Sequence, residues 1–184
     1  MITPAVVHSL VSSFFDPADG FSLKSRELIL LLLGCSPMPF SRSQFTPGHI
    51  TCTGLVLAPN GRDVLLVHHR RLNRWLLPGG HVEPEDIEIW DSARREVSEE
   101  TGADLLPDAA PPLIGVDVHG IPAKGREPYH LHHDLIFTFR AADEEIHVSP
   151  ESRAVAWCTP TEFDRYGLPE SIRQAYRRAT AFPG

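Results

Sequence analysis

Apolar positions along this chain recur first at helical spacing, then at strand spacing, then at helical spacing again. Val6, Val7, Leu10, Val11, Phe14 and Phe15 form a helical stripe behind Thr3 as a cap and Pro4 at the first helical position. Asp16-Pro17-Ala18-Asp19-Gly20 reads as a turn. Ser22 is predicted to cap a second helix that runs to about Leu33, stopped by Gly34 with Pro37 and Pro39 beyond. Strand-like runs follow at Ile50 to Leu57 and Asp63 to His69, with Pro59-Asn60-Gly61 as the hairpin turn between them. Trp75 to Leu77 is a short extended piece before a Gly79-Gly80 turn. Residues 88–101 return to helical spacing through Ile89, Trp90, Ala93 and Val97, and Gly102 ends that helix. Leu113 to Ile121, Leu131 to Phe139 and Ala154 to Trp157 are further strands. Thr159 to Glu162 is a capping box, and a last helix covers Pro169 to Ala179.

Strands interleaved with helices predict an α/β layered domain. The division expected is a helical appendage over residues 1–48 and a main domain over 49–184. Two short amphipathic helices need a surface to cover, so the stripes from Val6 to Phe15 and from Leu28 to Leu33 should be buried on the domain or in a homodimer.

Composition narrows the function classes. The 184 residues are 42% hydrophobic and 22% charged with a net charge of −7, which argues against a protein that coats nucleic acid through a basic surface. A small anionic substrate stays open, because a local metal or arginine cluster holds phosphate on an acidic protein. Of 17 basic residues only Lys24 and Lys124 are lysines. The three cysteines, Cys35, Cys52 and Cys158, are too few and too scattered for a disulfide framework or zinc knuckle, so a reducing cytosol is the expected compartment. Leu32-Leu33-Gly34-Cys35 has the look of a lipoprotein cleavage box. The six-residue apolar run before it is short for a signal segment, and Asp16, Asp19 and Glu27 lie upstream, so a helix end is the expectation. No apolar run approaches the ~18 residues of a membrane span, so no membrane partner is expected.

The dense chemical signal lies in Gly79-Gly80-His81-Val82-Glu83 and in Arg95-Glu96-Val97-Ser98-Glu99-Glu100-Thr101-Gly102-Ala103. Glu96, Glu99 and Glu100 are three and four apart, so their carboxylates crowd one helix face. Like charges at that spacing repel, and Arg95 alone does not neutralise three acids. A hard divalent cation such as Mg²⁺ does, taking oxygen ligands and bridging carboxylates to substrate phosphates. A backbone carbonyl of the Gly-Gly turn can add a ligand. An acidic, solvated helix face laced to Arg94 and Arg95 is the alternative that spacing alone leaves open.

This stretch resembles the Nudix box, the signature G-x5-E-x7-R-E-U-x-E-E-x-G-U of Nudix hydrolases, in which U is aliphatic. Here it reads Gly80, Asp86 and then Arg95 to Ala103. Asp86 stands where glutamate is usual, and one residue is inserted between it and Arg95, so Glu83, Glu85 or Asp86 is left to take the supporting loop role. His49-Ile50-Thr51, Leu65-Leu66-Val67 and Trp75 to Gly80 look like the usual lead-in, and residues 49–160 are covered. The resemblance implies an α/β/α sandwich around a mixed sheet. It implies metal-dependent hydrolysis of a diphosphate linkage, typically in a nucleoside diphosphate joined to another group, with Mg²⁺ or Mn²⁺ as cofactor. Carried onto these positions, Gly80, Glu96, Glu99 and Glu100 would hold metal. Glu99 or Glu100 would take the proton of the attacking water, and Arg95 would orient a glutamate.

Two further clusters are singled out. His68, His69, Arg70, Arg71 and Arg74 put five cationic or titratable side chains before Trp75, so Arg70 and Arg74 are candidates for an anion-binding rim. Alternation sends Asp117 and His119 to the face opposite Val116 and Val118, and places His130, His132 and Asp134 together. If those strands are neighbours, Asp117, His119, His132 and Asp134 line a substrate cleft, where imidazoles bind phosphate, base edges or a transition metal. Structural histidines bonded to Asp are the competing account. Two rival functions stand beside this one. A non-catalytic Nudix-like regulatory module need not keep all three acids. A prenyl-diphosphate isomerase would need a proton donor and acceptor around an alkene, for which only Cys52 is near the box.

Overall fold

The computed structural model describes residues 1–107, 110–150 and 152–181. Seven strands form one mixed sheet: β1 (Gly48–Leu57), β2 (Val64–His69), β3 (Arg74–Leu76), β4 (Gly79–His81), β5 (Leu113–Ile121), β6 (His130–Arg140) and β7 (Ser152–Cys158). The main path runs β3-β2-β1-β6-β5, while β4 pairs with β1 and β7 with β2. β1 and β6 are parallel along their whole length, from Gly48↔Leu131 to Leu57↔Arg140, and the other pairings are antiparallel. The Gly79-Gly80 turn of the sequence reading is therefore corrected. These glycines belong to β4, opposite Thr53 and Cys52. A Cβ on Gly79 would fall 2.7 Å from the Cys52 carbonyl oxygen, so only glycine lets β1 approach this closely.

The two faces of the sheet carry different cores. Ile50, Cys52, Val56, Val116, Leu135, Phe137 and Phe139 share one apolar cluster with Ile89, Ala93 and Val97 of α3 (Ile89–Thr101). Leu55, Leu57, Ile114 and Ile136 face the other way, onto Ile172, Ala175 and Ala179 of α4 (Glu170–Ala181). Helices on both faces make an α/β/α sandwich, the fold class expected from the sequence. His133 falls on the α3 side with Leu135, as alternation along the strand requires, and is buried there with Nδ1 unpartnered among the described residues.

The N-terminal segment forms α1 (Pro4–Ser13) and α2 (Gly20–Cys35). Thr3 caps α1 through its hydroxyl, and Pro4 occupies the first position. The cap of α2 is Asp19, not Ser22: the Asp19 carboxylate accepts the Ser22 amide at 3.0 Å and its hydroxyl at 2.6 Å. The helix also continues through Gly34 to Cys35. Val7, Val11, Phe14, Ile29, Leu32 and Leu33 join the α3-side core, with α2 lying on β5 and β6. The predicted stripes were too wide: Val6, Phe15, Leu28 and Leu31 are exposed. The buried arc holds Val7, Val11 and Phe14, one residue per turn, because α1 touches the molecule along one narrow line.

Arg178 of α4 fastens this segment. It donates to Asp16 at 2.8 and 3.0 Å, to Asp19 at 2.7 Å and to the Ile114 carbonyl at 3.1 Å, and its guanidinium lies over the Phe14 ring. No helix among the described residues is long and apolar enough to cross a membrane.

Candidate active site

α3 is laid down beside β4 by a loop built around Asp86. Its carboxylate accepts the Glu83 amide at 2.9 Å, the Ser92 hydroxyl at 2.7 Å and the Arg95 guanidinium at 3.2 and 3.3 Å. Asp86 therefore fills the supporting role that the sequence left among three acids. The side chain is shorter than the usual glutamate, and the inserted residue lies in the same loop. Its carboxyl is held below the ordinary range, since Arg95 and these donors outweigh the burial that pushes the other way. Arg95 continues to the His81 carbonyl at 2.8 Å, Glu96 at 3.0 Å and Glu99 at 3.2 Å. It locks the helix to the strand and orients two glutamates at once.

Three carboxylates follow from helical spacing, yet they differ in setting. Glu100 is 6% exposed and accepts the Gly79 amide at 3.0 Å. Glu96 presses on Gly80: a Cβ there would meet Glu96 Oε1 at 2.5 Å. Glu99 lies further out, its side chain 59% exposed. The helix face and the loop before it so combine one guanidinium with the four carboxylates of Asp86, Glu96, Glu99 and Glu100. An oxygen-rich set with net negative charge, beside a backbone cleared of side chains at Gly80, fits a hard divalent cation.

These groups open on a cleft of about 1250 Å³. Its lining includes Gly80, Glu96, Glu99, Glu100, Arg70, Arg74, Asp117, His119, His132 and Asp134, so the predicted metal-holding and substrate-binding residues reach one cavity, while His68 does not line it. Arg70 is exposed and donates to the Ser152 carbonyl at 3.2 Å, and Arg74 opens β3 at the rim. Trp75 stands edge-on to His68 and Tyr166, 5.1 and 5.0 Å between ring centres.

The polar end of the sheet forms the cleft floor. Pairing sets Asp117 opposite Asp134 and His119 opposite His132 on one face. Asp134 is buried and accepts hydroxyl bonds from Thr51 at 3.0 Å and Thr53 at 2.9 Å. Burial lifts its carboxyl to about 6, with Asp117 adding to the rise and His119 and the threonines opposing it. His119 Nδ1 bonds Asp117 at 2.9 Å, and its imidazole is raised despite burial because Asp117 and Asp134 favour the cation. His132 is pushed down to about 2 and His81 to about 4, by burial first and by the neighbouring imidazoles next.

Sequence reasoning missed two histidines at this end of the sheet, one lining the cleft and one beneath it. His49 is fully buried, with its ring centre 4.9 Å from that of His132 and 5.0 Å from that of His81. His49, Thr51 and Thr53 alternate with Ile50 and Cys52, and that pattern was the available signal. His81 follows the glycine pair on β4, and no local alternation marks it.

The NUDIX domain model matches residues 48–181. The chain belongs to the Nudix family. Nucleoside triphosphatase NudI of Salmonella arizonae is 35% identical over 106 residues, 56% of this chain and 74% of that protein. Among solved structures, a Nudix hydrolase from Nitrosomonas europaea superposes with a TM-score of 0.53 at 20% identity, covering 73% of this chain and 91% of that one. The Nudix domain of Shewanella oneidensis NrtR, complexed with ADP-ribose, gives 0.50 at 17% identity over 80% and 95%. These two likenesses speak for the fold. The Nudix assignment makes this chain a pyrophosphohydrolase, an enzyme that cleaves diphosphate linkages, and Nudix hydrolases generally use a divalent metal.

Proposed function

We propose that the chain hydrolyses a diphosphate linkage in a nucleoside diphosphate derivative or related organic pyrophosphate, with Mg²⁺ or Mn²⁺. The observation that carries this reading is the convergence of Glu96 and Glu100 on Gly80 and Gly79, which sets carboxylates against bare backbone along a cleft roomy enough for a nucleotide. Gly80, Glu96, Glu99 and Glu100 would hold the cation, which supplies neutralisation of charge on the phosphoryl oxygens and acidifies water. Asp86 and Arg95 keep the helix face fixed before substrate arrives, so little reorganisation is left to the reaction. A glutamate of that face, Glu99 or Glu100, takes the proton of the attacking water. Glu99 is the more exposed of the two and is paired with Arg95, and Glu100 is tied to the Gly79 amide. Arg70 and Arg74 at the rim draw in the anionic end of the substrate, while Asp117, His119, His132 and Asp134 contact its other half.

The relatives named nucleoside triphosphatase bring nucleoside triphosphates into the same test. Nucleoside triphosphates and nucleoside diphosphate derivatives are incubated with Mg²⁺ or Mn²⁺ and read by phosphate release and product identity. Cleavage between two phosphorus atoms of at least one compound is expected. A panel left intact with both metals, while nucleotides bind, would favour a regulatory binding module instead.

A further inference from the structure

The acidic face of α3 leaves one feature of the cleft unexplained, a knot of five imidazoles. His49 on β1, His81 on β4 and His132 on β6 each offer a ring nitrogen, and these atoms all lie within 4.8 Å of one another. His130 sits behind them, its ring centre 5.2 Å from His49 and 5.3 Å from His132, and His119 lies 5.7 Å from His132. The three strands meet because β1 pairs with both β4 and β6, which puts Thr51 opposite His81 and His49 opposite His132 on one face.

The tautomer of His49 is fixed by its partner. Its Nδ1 lies 3.0 Å from the Gln44 carbonyl, which can only accept, so Nδ1 carries the hydrogen and Nε2 is a bare lone pair. That Nε2 is buried in a fully buried residue and has no hydrogen-bond partner among the described residues. A buried acceptor without a donor destabilises the fold. Aromatic packing alone would be served better by phenylalanine at this position. His130 and His119 likewise hold their Nδ1 hydrogens on acceptors, Pro128 O at 2.8 Å and Asp117 Oδ2 at 2.9 Å, which fixes the tautomers of the rings around the trio.

The geometry points to a second metal site, in which His49, His81 and His132 bind one divalent transition-metal ion of the Zn²⁺ class. Imidazole ligands select such ions over Mg²⁺, which prefers the carboxylate oxygens of α3. Metal–nitrogen bonds of about 2.0–2.1 Å in a tetrahedron bring the nitrogens to about 3.3 Å, a contraction that small rotations of the His81 and His132 rings can supply. Both of those rings line the cleft, whereas His49 does not, so the fourth position faces the cavity and is open to water or a substrate oxygen. The ion would also tie β4, the strand that carries Gly80, to the centre of the sheet.

The test uses the full chain, free of any affinity tag and stripped with a chelator. Zn²⁺ is titrated by calorimetry in excess Mg²⁺, and Co²⁺ is added separately to follow its visible ligand-field bands. Expected are one Zn²⁺ per chain and a Co²⁺ spectrum of four- or five-coordinate type. His49→Ala and His132→Ala should each weaken Zn²⁺ binding by at least about tenfold and abolish the Co²⁺ bands. His81→Gln, at a half-exposed position, gives the same reading should the buried variant fail to fold. Glu96→Gln should leave Zn²⁺ affinity within about twofold, which keeps this site distinct from the acidic one. Zn²⁺ binding that survives the histidine substitutions, that excess Mg²⁺ or Glu96→Gln removes, or that is absent altogether overturns the proposal.

Discussion

Replacing Arg178 by Met keeps most of the aliphatic volume and removes the guanidinium that joins α4 to the turn between α1 and α2. The loss is three charge-assisted bonds, two to Asp16 and one to Asp19, plus one to the Ile114 carbonyl. Removing one partner of a buried ion pair costs about 3–5 kcal/mol. Asp16 is partly solvated and Asp19 keeps both bonds from Ser22, so the net cost falls to about 2–3 kcal/mol. For a chain of this length that is a fall in Tm of roughly 5–10 °C.

Acid should remove the part of the difference that the two carboxylates carry and leave the part due to the Ile114 carbonyl. Asp16 titrates below the ordinary value of 3.8 because Arg178 and the Ala18 amide stabilise its charge. Burial alone would raise Asp19, but Ser22 and Arg178 outweigh it and hold it below 3.8 as well. A carboxyl lowered in the folded state stabilises the fold above its unfolded pKa, and that gain is lost as pH falls through the folded value. Urea melts of wild type and Arg178→Met should therefore differ by a constant amount from about pH 7 to about pH 5 and draw closer below 3.8. A Tm within about 1 °C of wild type at neutral pH, with unchanged protease resistance of residues 1–35, would refute the clamp.

Three further outcomes are expected. Gly80→Ala should leave stability within about 1 kcal/mol, since the Cβ meets only the end of the Glu96 side chain, but should lower kcat by about a hundredfold as that carboxylate is displaced; unaltered kcat would count against the placement. Asp86→Asn should cost about 1–3 kcal/mol in a urea melt by weakening its tie to Arg95, and a change under about 0.5 kcal/mol would show that the loop is held otherwise. Hydrolysis should vanish on treatment with EDTA and return with Mg²⁺ or Mn²⁺, measured by phosphate release; full activity in the chelator would remove the divalent ion from the account.

What could be read from the sequence was what is local. Arg95, Glu96, Glu99 and Glu100 sit on one helix, so their spacing already states their geometry. The alternation of His132 and Asp134 against His133 likewise fixed which of them face the cleft, because a strand has period two. His49 escaped because its partners lie 32 and 83 positions away and meet it only through the pairing of β1 with β4 and β6. Strand registers of that kind are set by the whole sheet. The Gly79-Gly80 pair was misread for a related reason: glycine signals a turn locally, and only the close approach of β1 shows why it stands in a strand. In α2, Asp19 rather than Ser22 is the cap, and Arg178, far along the chain, bonds the other oxygen of the same carboxylate.

The central claim is that Glu96 belongs to the hydrolytic machinery rather than to a solvated helix face. Its most direct test is kcat of Glu96→Gln on a substrate identified by the panel, with Mg²⁺ saturating and Tm recorded on the same sample. The account predicts a fall of about 10²–10³ in kcat, equivalent to about 3–4 kcal/mol of transition-state stabilisation, with Tm within a few degrees of wild type. Turnover near the wild-type value in a folded Glu96→Gln protein would contradict it.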